Sequence, residues 1–302
     1  MSAVPLPERL STRPLELSDA AAVTAVMAAD QLATLGRVVI EAADIVGEWQ
    51  APSADVPGTT VGVFDGDLLV GYAEAGPAGR GDAAVLPERR GQGIGTWLAR
   101  WMEERARAQG QRAIGMPVPA GSPGEALLRE LGWQLRWHSW VLVLPEGRAV
   151  EERPLPEDHL LRVAASEELR RGAWNVIEDA FLEWSDRRKA TFEDWSAEVT
   201  GRPGFEPWNL RVVVDPGGEV VGGVFVLLNE GTGYVAKLAV RKDRRGRGLA
   251  RALLADAFGV AREHGAVRSE LSTDSRTGAL DLYLGLGMRV EEDWVNLGVL
   301  LS

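Results

Sequence analysis

The sequence predicts an α/β protein with a mixed α+β sheet, built from two copies of one domain. Its 302 residues exceed what one hydrophobic core usually organises. Hydrophobic residues make up 45% of the chain and charged residues 25%, which is typical of a globular protein. A long internal repeat is the third observation, and it fixes the number of copies at two.

The repeat centres on a segment rich in glycine and arginine. Residues 85–95 (VLPERRGQGIG) match residues 240–250 (VRKDRRGRGLA) at an offset of 155. The same offset continues downstream, pairing Leu98 with Leu253, Gly110 with Gly265, Leu131 with Leu286 and Gly132 with Gly287. We therefore expect domains at residues 1–148 and 149–302, joined by the proline-rich, charged segment 145–158.

Hydrophobic periodicity in the second copy predicts strands and helices in a mixed order. The predicted strands are 161–164, 209–214, 220–228, 234–240, 269–273 and 296–301, and the predicted helices are 167–183, 191–199, 248–264 and 277–286. Residues 69–71 resemble residues 220–222 at an offset of only 151. The hairpin before the motif should therefore be about four residues longer in the second copy.

Composition narrows the classes of function. A formal net charge of −11 opposes nucleic-acid binding, because phosphate recognition needs a clustered basic excess. The chain has no cysteine, no signal-peptide pattern and no run of about 18 apolar residues, so we expect a cytoplasmic protein without a membrane partner. The three histidines, His138, His159 and His264, are too scattered to predict a metal site.

The glycine-rich motif has the features of an anion site. Arg245-x-x-Gly248-x-Ala250 joins a predicted strand to a predicted helix, whose first amides lack internal partners and carry partial positive charge. Glycine lets the backbone approach a phosphate closely. The motif lacks the Gly-Lys-Ser/Thr of a P-loop and comes too late in each copy for a dinucleotide fingerprint. An ordinary tight turn remains the alternative.

The motif and its surroundings resemble the GNAT acetyltransferases. The likeness rests on the strand Lys237–Val240, the segment Arg245–Ala250, and the later run Leu282-Tyr283-Leu284-Gly285-Leu286-Gly287-Met288. Both copies carry the motif, so the resemblance covers nearly the whole chain. The layout is also similar to that of the mycothiol synthase group of tandem acetyltransferases.

This resemblance implies direct transfer of an acetyl group from acetyl-CoA to the amine of a small-molecule or peptide acceptor. Tyr283 is the expected acid that protonates the leaving thiolate, although a packing role for this tyrosine stays open. Ser275 stands near a position where relatives often carry asparagine. The residues expected to bind the cofactor are Leu238, Ala239, Val240, Arg245, Gly246, Arg247, Gly248, Leu249, Ala250 and Ser275.

The two copies differ at the expected acid. Leu128 occupies the position of Tyr283, so we expect the first copy to be degenerate and the second to be catalytic. No general base is evident, since each candidate carboxylate could equally be an ordinary solvated side chain. The candidates are Glu178, Asp179, Glu183, Glu230, Glu270 and Asp274. Four tryptophans either line the acceptor site or fill the core: Trp174, Trp184, Trp195 and Trp208.

Two other classes of function compete with this expectation. One is a regulator that binds CoA without turnover, and the other is a structural or partner-binding pseudo-dimer. The chain should be a monomer or a homodimer.

Overall fold

The computed structural model describes residues 6–185 and 187–301, which fold into two compact units. The first unit extends to His138 and also includes the chain from Asp293 onward, and the second is Ser139–Glu292. In chain order the elements up to the middle of the chain are β1 (Leu10–Arg13), α1 (Ala20–Leu35), α2 (Ala42–Trp49), α3 (Val56–Thr59), β2 (Thr60–Asp65), β3 (Leu68–Ala75), β4 (Gly81–Val85), α4 (Ile94–Ala108), β5 (Ala113–Pro119), α5 (Pro123–Glu130) and β6 (Gln134–Leu144).

The remaining elements repeat this order from β7 onward, without a counterpart of α3. They are β7 (Leu160–Val163), α6 (Glu167–Phe181), α7 (Phe192–Glu198), β8 (Leu210–Val214), β9 (Val220–Asn229), β10 (Thr232–Val240), α8 (Leu249–Glu263), β11 (Arg268–Asp274), α9 (Leu280–Gly285) and β12 (Arg289–Leu300). The mixed α/β fold class predicted from the sequence is confirmed.

Two element boundaries depart from the prediction by three residues or more. Helix α9 starts at Leu280 and not at Thr277, because the Thr277 hydroxyl bonds locally: it donates to the Asp274 carbonyl at 2.9 Å and accepts from the Ala279 amide at 3.2 Å. The final strand starts at Arg289, seven residues before the predicted 296, and contains the polar run Glu291-Glu292-Asp293, which hid its alternation.

In the first unit, β1 to β4 form an antiparallel sheet in sequential order. Strand β5 pairs antiparallel with β12, from Ala113 opposite Leu300 to Pro119 opposite Trp294. In the second unit, β7, β8, β9 and β10 are sequential antiparallel neighbours, β11 lies parallel to β10, and residues 139–144 of β6 pair antiparallel with β11.

The last strand of each repeat is thus paired with the fifth strand of the other repeat. The exchange is symmetric: Leu144 lies opposite Ser269, and Val299, 155 residues later, lies opposite Ile114, 155 residues earlier. The compact units therefore differ from the predicted domains 1–148 and 149–302. Repeat similarity identifies equivalent strands, but because the strands are equivalent, it does not specify which copy each one joins.

The predicted boundary segment, residues 145–158, is irregular and mostly exposed. Val150 is the exception, because it is buried in the core of the second unit. Nearby, Glu151 accepts hydrogen bonds from the Arg251 guanidinium on α8. The segment is therefore attached along the second unit and is not a loose linker.

The 155-residue register holds in the structure of the motif. Helices α4 and α8 are both 15 residues long, and each is preceded by a single 3-10 turn, at Pro87–Arg89 and Lys242–Arg244. The glycines before each helix have matching left-handed backbones: φ is 74° and 83° at Gly91 and Gly93, and 74° and 82° at Gly246 and Gly248. The β9–β10 hairpin is longer than β3–β4, as predicted.

We predict that the motif glycines are required by conformation in both copies. Gly248→Ala and Gly93→Ala should each lower the free energy of unfolding by about 1–2 kcal/mol, because an alanine Cβ disfavours positive φ. No atom lies within 4 Å of the added Cβ at either position, so the cost is not a clash. Gly259→Ala, inside α8 with open space around it, is the matched control and should stabilise by about 0.5–1 kcal/mol. Urea unfolding of the three variants measures these changes. An unchanged free energy of unfolding in Gly248→Ala would contradict this account.

Candidate functional site

The second unit contains a gap between two parallel strands. Pairing of β10 with β11 runs only from Thr232 opposite Arg268 to Val235 opposite Leu271. Both strands continue, to Val240 and Asp274, but β10 then pairs only with β9, and β11 only with β6. A β-bulge between Val235 and Lys237 marks the point of divergence. Backbone groups on the inner edge of β10, in the predicted stretch Leu238–Val240, therefore face the gap without strand partners.

The gap leads to the N-terminus of α8. Gly248 is its N-cap and supplies no side chain, so the first-turn amides receive no side-chain cap. Helices α5, α6 and α7 differ, since Ser122, Ser166 and Thr191 cap them. Nothing lies within 4 Å of the positions that a Cβ would take at Gly246 and Gly248. This open, uncapped helix end has the geometry that anions favour.

The loop arginines do not have the same role. Arg245 donates from Nη1 and Nη2 to the Glu183 carboxylate, at 2.8 and 2.5 Å, and from Nε to the Val240 carbonyl at 3.1 Å. Arg244 pairs with Asp215 at 3.0 Å. Arg247 is exposed and, in the part of the chain that the structure describes, has no polar partner. Among the three loop arginines, Arg247 is therefore the one that remains available to a ligand.

The other predicted cofactor residues contribute backbone more than side chain. Leu249 is fully buried in the core, as are Ala239 and Val240, while Leu238 and Ala250 pack against it. Ser275 is exposed in the turn after β11. In that turn Asp274 accepts hydrogen bonds from the backbone and guanidinium of Arg276.

Tyr283 lies on α9 with its ring in the core cluster of the second unit, which also contains Leu249 and is contacted by Leu238. The side chain is buried, yet its hydroxyl has no hydrogen-bond partner among residues 6–185 and 187–301. Burial raises the pKa of Tyr283 to about 12. The phenol therefore keeps its proton at neutral pH and has an unused donor.

Most of the candidate carboxylates of the second unit are engaged in ion pairs. Glu178 is buried, which would raise its pKa, but hydrogen bonds from Arg187 and the Ala190 amide lower the pKa overall. The hydrogen bond from Arg245 likewise lowers the pKa of Glu183. Other pairs join Asp179 to Lys189, Glu270 to Arg268 and Asp274 to Arg276. Glu230 lies in the β9–β10 turn, at the opposite end of β10 from the motif.

The tryptophans divide between packing roles. Trp195 is buried in a core cluster of the second unit and stacks on Phe192, with ring centroids 6.1 Å apart. Trp174 meets Phe192 edge-on and donates to the Ala190 carbonyl at 3.0 Å. Trp208 stacks on His264. Trp184 packs near Phe181 in a tilted arrangement. Trp174, Trp195 and Trp208 also belong to core clusters or pack against them, so ring contacts and core packing account for these three.

The first unit keeps the loop backbone but changes the side chains around it. Gln92 replaces Arg247 and accepts a hydrogen bond from Arg9 at 2.8 Å. Gly95 replaces Ala250, and a Cβ there would lie 2.9 Å from Leu127 Cδ2, so α5 packs tightly on the first turn of α4. The equivalent of Leu127 is Leu282, which is 45% exposed. Leu128, in place of Tyr283, is buried.

The first unit contains a cluster of charged side chains that the sequence analysis did not predict. Glu74 on β3 lies directly opposite Asp82 on β4, and its carboxylate accepts from Trp49 Nε1 at 3.3 Å. Arg80 donates to Glu48 at 3.3 Å. Burial, followed by the charge of Glu48, raises the pKa of Glu74 to about 7. Only the cross-strand register, which the sequence does not give, could have brought Glu74 and Asp82 together.

We predict that Glu74 opposes folding above neutral pH. Its pKa is higher in the folded state, so the native protein binds the proton more tightly and stability falls as pH rises from about 4.5 to about 7. Glu74→Gln keeps an acceptor for Trp49 and should stabilise by about 1–3 kcal/mol at pH 8 but little at pH 4.5. Glu104→Gln, on an exposed position, is the control and should change stability by less than about 0.5 kcal/mol. Equal stabilisation at both pH values would exclude this explanation.

No group of three or more histidine, aspartate or glutamate side chains within 6–185 and 187–301 is arranged to hold a metal ion. Over the same residues, none of the helices combines the length and apolarity that crossing a membrane requires.

Comparisons with known proteins agree with this geometry. The sequence model of the Acetyltransferase (GNAT) family matches residues 32–133 and again residues 167–288. A mycothiol acetyltransferase from Beutenbergia cavernae is 30% identical over 215 residues, covering 67% of this chain and 70% of that protein.

Several solved structures match almost the whole chain. A GCN5-related N-acetyltransferase from Sphaerobacter thermophilus has 27% identity and a TM-score of 0.73, covering 99% of this chain and 98% of its own. A tandem GNAT protein from the clavulanic acid biosynthesis pathway has a TM-score of 0.72 over 97% of this chain and 99% of its own; at 18% identity it supports the fold alone. The chain therefore belongs to the GNAT acetyltransferase family and is an N-acetyltransferase with two GNAT domains in tandem.

Proposed function

We propose that the second unit uses acetyl-CoA to acetylate the amine of a small-molecule or peptide acceptor. The observation that carries this proposal is the gap between β10 and β11, which leads to an uncapped helix N-terminus headed by two left-handed glycines. A gap between strands suits an extended pantetheine arm, and an uncapped helix end suits a pyrophosphate. Acetyl-CoA would supply the acetyl group as a thioester.

Each part of the site would then have one task. The inner edge of β10 offers backbone groups without strand partners along Leu238–Val240 to the amides of the arm, except for the Val240 carbonyl that Arg245 already uses. The first-turn amides of α8 and the Arg247 guanidinium hold the phosphates. Tyr283, whose hydroxyl has no partner in the described part of the chain, donates a proton to the leaving thiolate.

The acceptor must lose a proton before or during attack. Because five of the six candidate carboxylates are ion-paired and Glu230 is remote from the motif, we propose that this proton passes to solvent. The rate should then follow the fraction of neutral amine and rise with pH toward the amine pKa. A lysine-like amine is only about one part in a thousand neutral at pH 7, so weakly basic amines should be the better acceptors.

A regulator that binds CoA without turnover remains the second candidate. It is favoured by Lys237, a cation on β10 paired at 3.5 Å with Glu198, in the stretch where relatives often carry a carboxylate. Calorimetric titration with acetyl-CoA, followed by an amine panel assayed for thiol release, separates the candidates. Binding without thiol release from any amine would favour the regulator.

A cytoplasmic location stays a prediction.

We predict one CoA per chain, bound with the help of Arg247. Arg247→Gln, which introduces the residue of the first copy, should raise the Kd for CoA by about 3- to 10-fold through loss of a charge-assisted hydrogen bond. The loss should shrink at high salt, because an exposed charge is screened. Gln92→Arg is the matched control: since Leu127 packs over that helix turn, the variant should not create a second site. Two equivalent sites in the parent would refute the assignment of the first copy as degenerate.

We predict that Tyr283→Phe slows turnover without weakening binding. The ring stays in the core and only the donor is lost, so the Kd for acetyl-CoA should change by less than about 2-fold while kcat falls by roughly 10- to 1,000-fold. The measurement is thiol release with an authentic acceptor between pH 6 and 9.

Tyr72→Phe is the control for removal of a phenol hydroxyl. Tyr72 is buried in the first unit and hydrogen-bonds Asp82, so this change should alter stability and leave kcat intact. Unchanged turnover in Tyr283→Phe would leave this tyrosine a packing role only.

A further inference from the structure

The two adjacent arginines of the motif have the same kind of partner in both copies. In the second copy Arg244 pairs with Asp215, and Arg245 with Glu183. In the first copy Arg89 pairs with Asp65 at 2.8 Å, and Arg90 pairs with Asp30 at 2.7 Å. The partners come from corresponding elements: Asp65 ends β2 and Asp215 follows β8, while Asp30 lies inside α1 and Glu183 lies in the turn after α6.

The repeated ion pairs indicate that these arginines have a structural role in the loop. The first-copy loop has Gln92 in place of Arg247, and Leu127 packs against the adjoining helix turn at Gly95, yet the loop keeps both ion pairs. Residues needed only to touch phosphate would have no reason to keep carboxylate partners there. In the second copy Glu183 already takes both terminal nitrogens of Arg245, and the Val240 carbonyl takes its Nε. All the guanidinium nitrogens of Arg245 thus bond inside the protein.

The Glu183 contact also joins two sides of the site. Glu183 lies in the short turn 182–184 after α6. Arg245, which follows β10, holds this turn from one side, and Arg276, which follows β11, donates to the Trp184 carbonyl at 3.5 Å from the other. The turn is therefore tied to the ends of both diverging strands. Its continuation to Ala190 is in turn tied back to α6, through the bonds of Arg187 and the Ala190 amide to Glu178.

We infer that Glu183 and Arg245 are positioning residues that hold the loop amides and the end of the strand gap in the form that accepts the cofactor, and that Arg245 is not a phosphate ligand. This inference rests on the proposed function for its ligand, acetyl-CoA. It revises the sequence-based expectation that Arg245 binds the cofactor, and it leaves the pyrophosphate to Arg247 and the backbone.

The two possible roles of Arg245 predict opposite changes in CoA affinity for the variant Glu183→Gln. If Arg245 were a phosphate ligand held back by Glu183, freeing it would tighten CoA binding. If Glu183 and Arg245 are a positioning pair, Glu183→Gln should raise the Kd for CoA and the KM for acetyl-CoA by about 2- to 5-fold, which is the range of a partly exposed ion pair. The value of kcat should stay within about 2-fold of the parent. Arg245→Gln should match it. The double variant should be no weaker than either single one, because both changes remove the same interaction.

Amide hydrogen exchange without ligand tests the positioning directly. Glu183→Gln should speed exchange at residues 246–250 and leave residues 91–95 unchanged, whereas the matched control Asp30→Asn should do the reverse and leave CoA affinity and kcat unaltered. Tighter CoA binding in Glu183→Gln, or losses that multiply in the double variant, would overturn the inference. If the parent binds no CoA, the proposed function fails, and equal exchange in parent and Glu183→Gln would separately reject the pair as a positioning device.

Discussion

The pairing of Ser139–Leu144 with Ser269–Asp274 is the interaction on which the candidate site depends. Beyond Leu271, strand β11 has lost β10 as a neighbour, and only β6 still bonds its backbone. A strand with both edges unpaired would cost several hydrogen bonds and would not keep its direction. The gap can therefore exist only because β6 holds the outer edge of β11 while β9 holds the outer edge of β10.

This constraint explains why the two copies are not independent. Strand β6 is encoded by the first repeat, but its residues 139–144 support the gap of the second unit, and β12 pairs with β5 in the same register. A first copy that no longer binds ligand would still be kept, because it supplies the supporting strand. Its loop glycines and ion pairs have a structural role of their own, because they shape the turn between strand and helix whether or not a phosphate is bound there.

Much of the fold could be predicted from sequence because its signals are local. The glycine-rich turn, the amphipathic α8 and the hairpin lengths depend on residues close in sequence. The repeat also provides two sequences for most elements, so each can be compared with its counterpart. Strand exchange could not be predicted, because equivalent strands have equivalent patterns. The role of Arg245 was also hidden, since Glu183 is 62 residues away and an arginine beside a glycine loop looks the same whether it contacts a phosphate or a carboxylate. The Glu74–Asp82 pair depends on cross-strand register, which is likewise non-local.

Two differences between the copies fall at groups that the proposed reaction would use. Where the side chains serve the loop itself, the copies agree in type: arginine with a carboxylate partner, and glycine at positive φ. Where a side chain has no partner in the described part of the second unit, the first copy has changed it, to Gln92 in place of Arg247 and Leu128 in place of Tyr283. Unpartnered polar groups bring little stability to a fold. Their retention in one copy and loss in the other therefore separates the residues that build the loop from the residues that the proposed reaction would use.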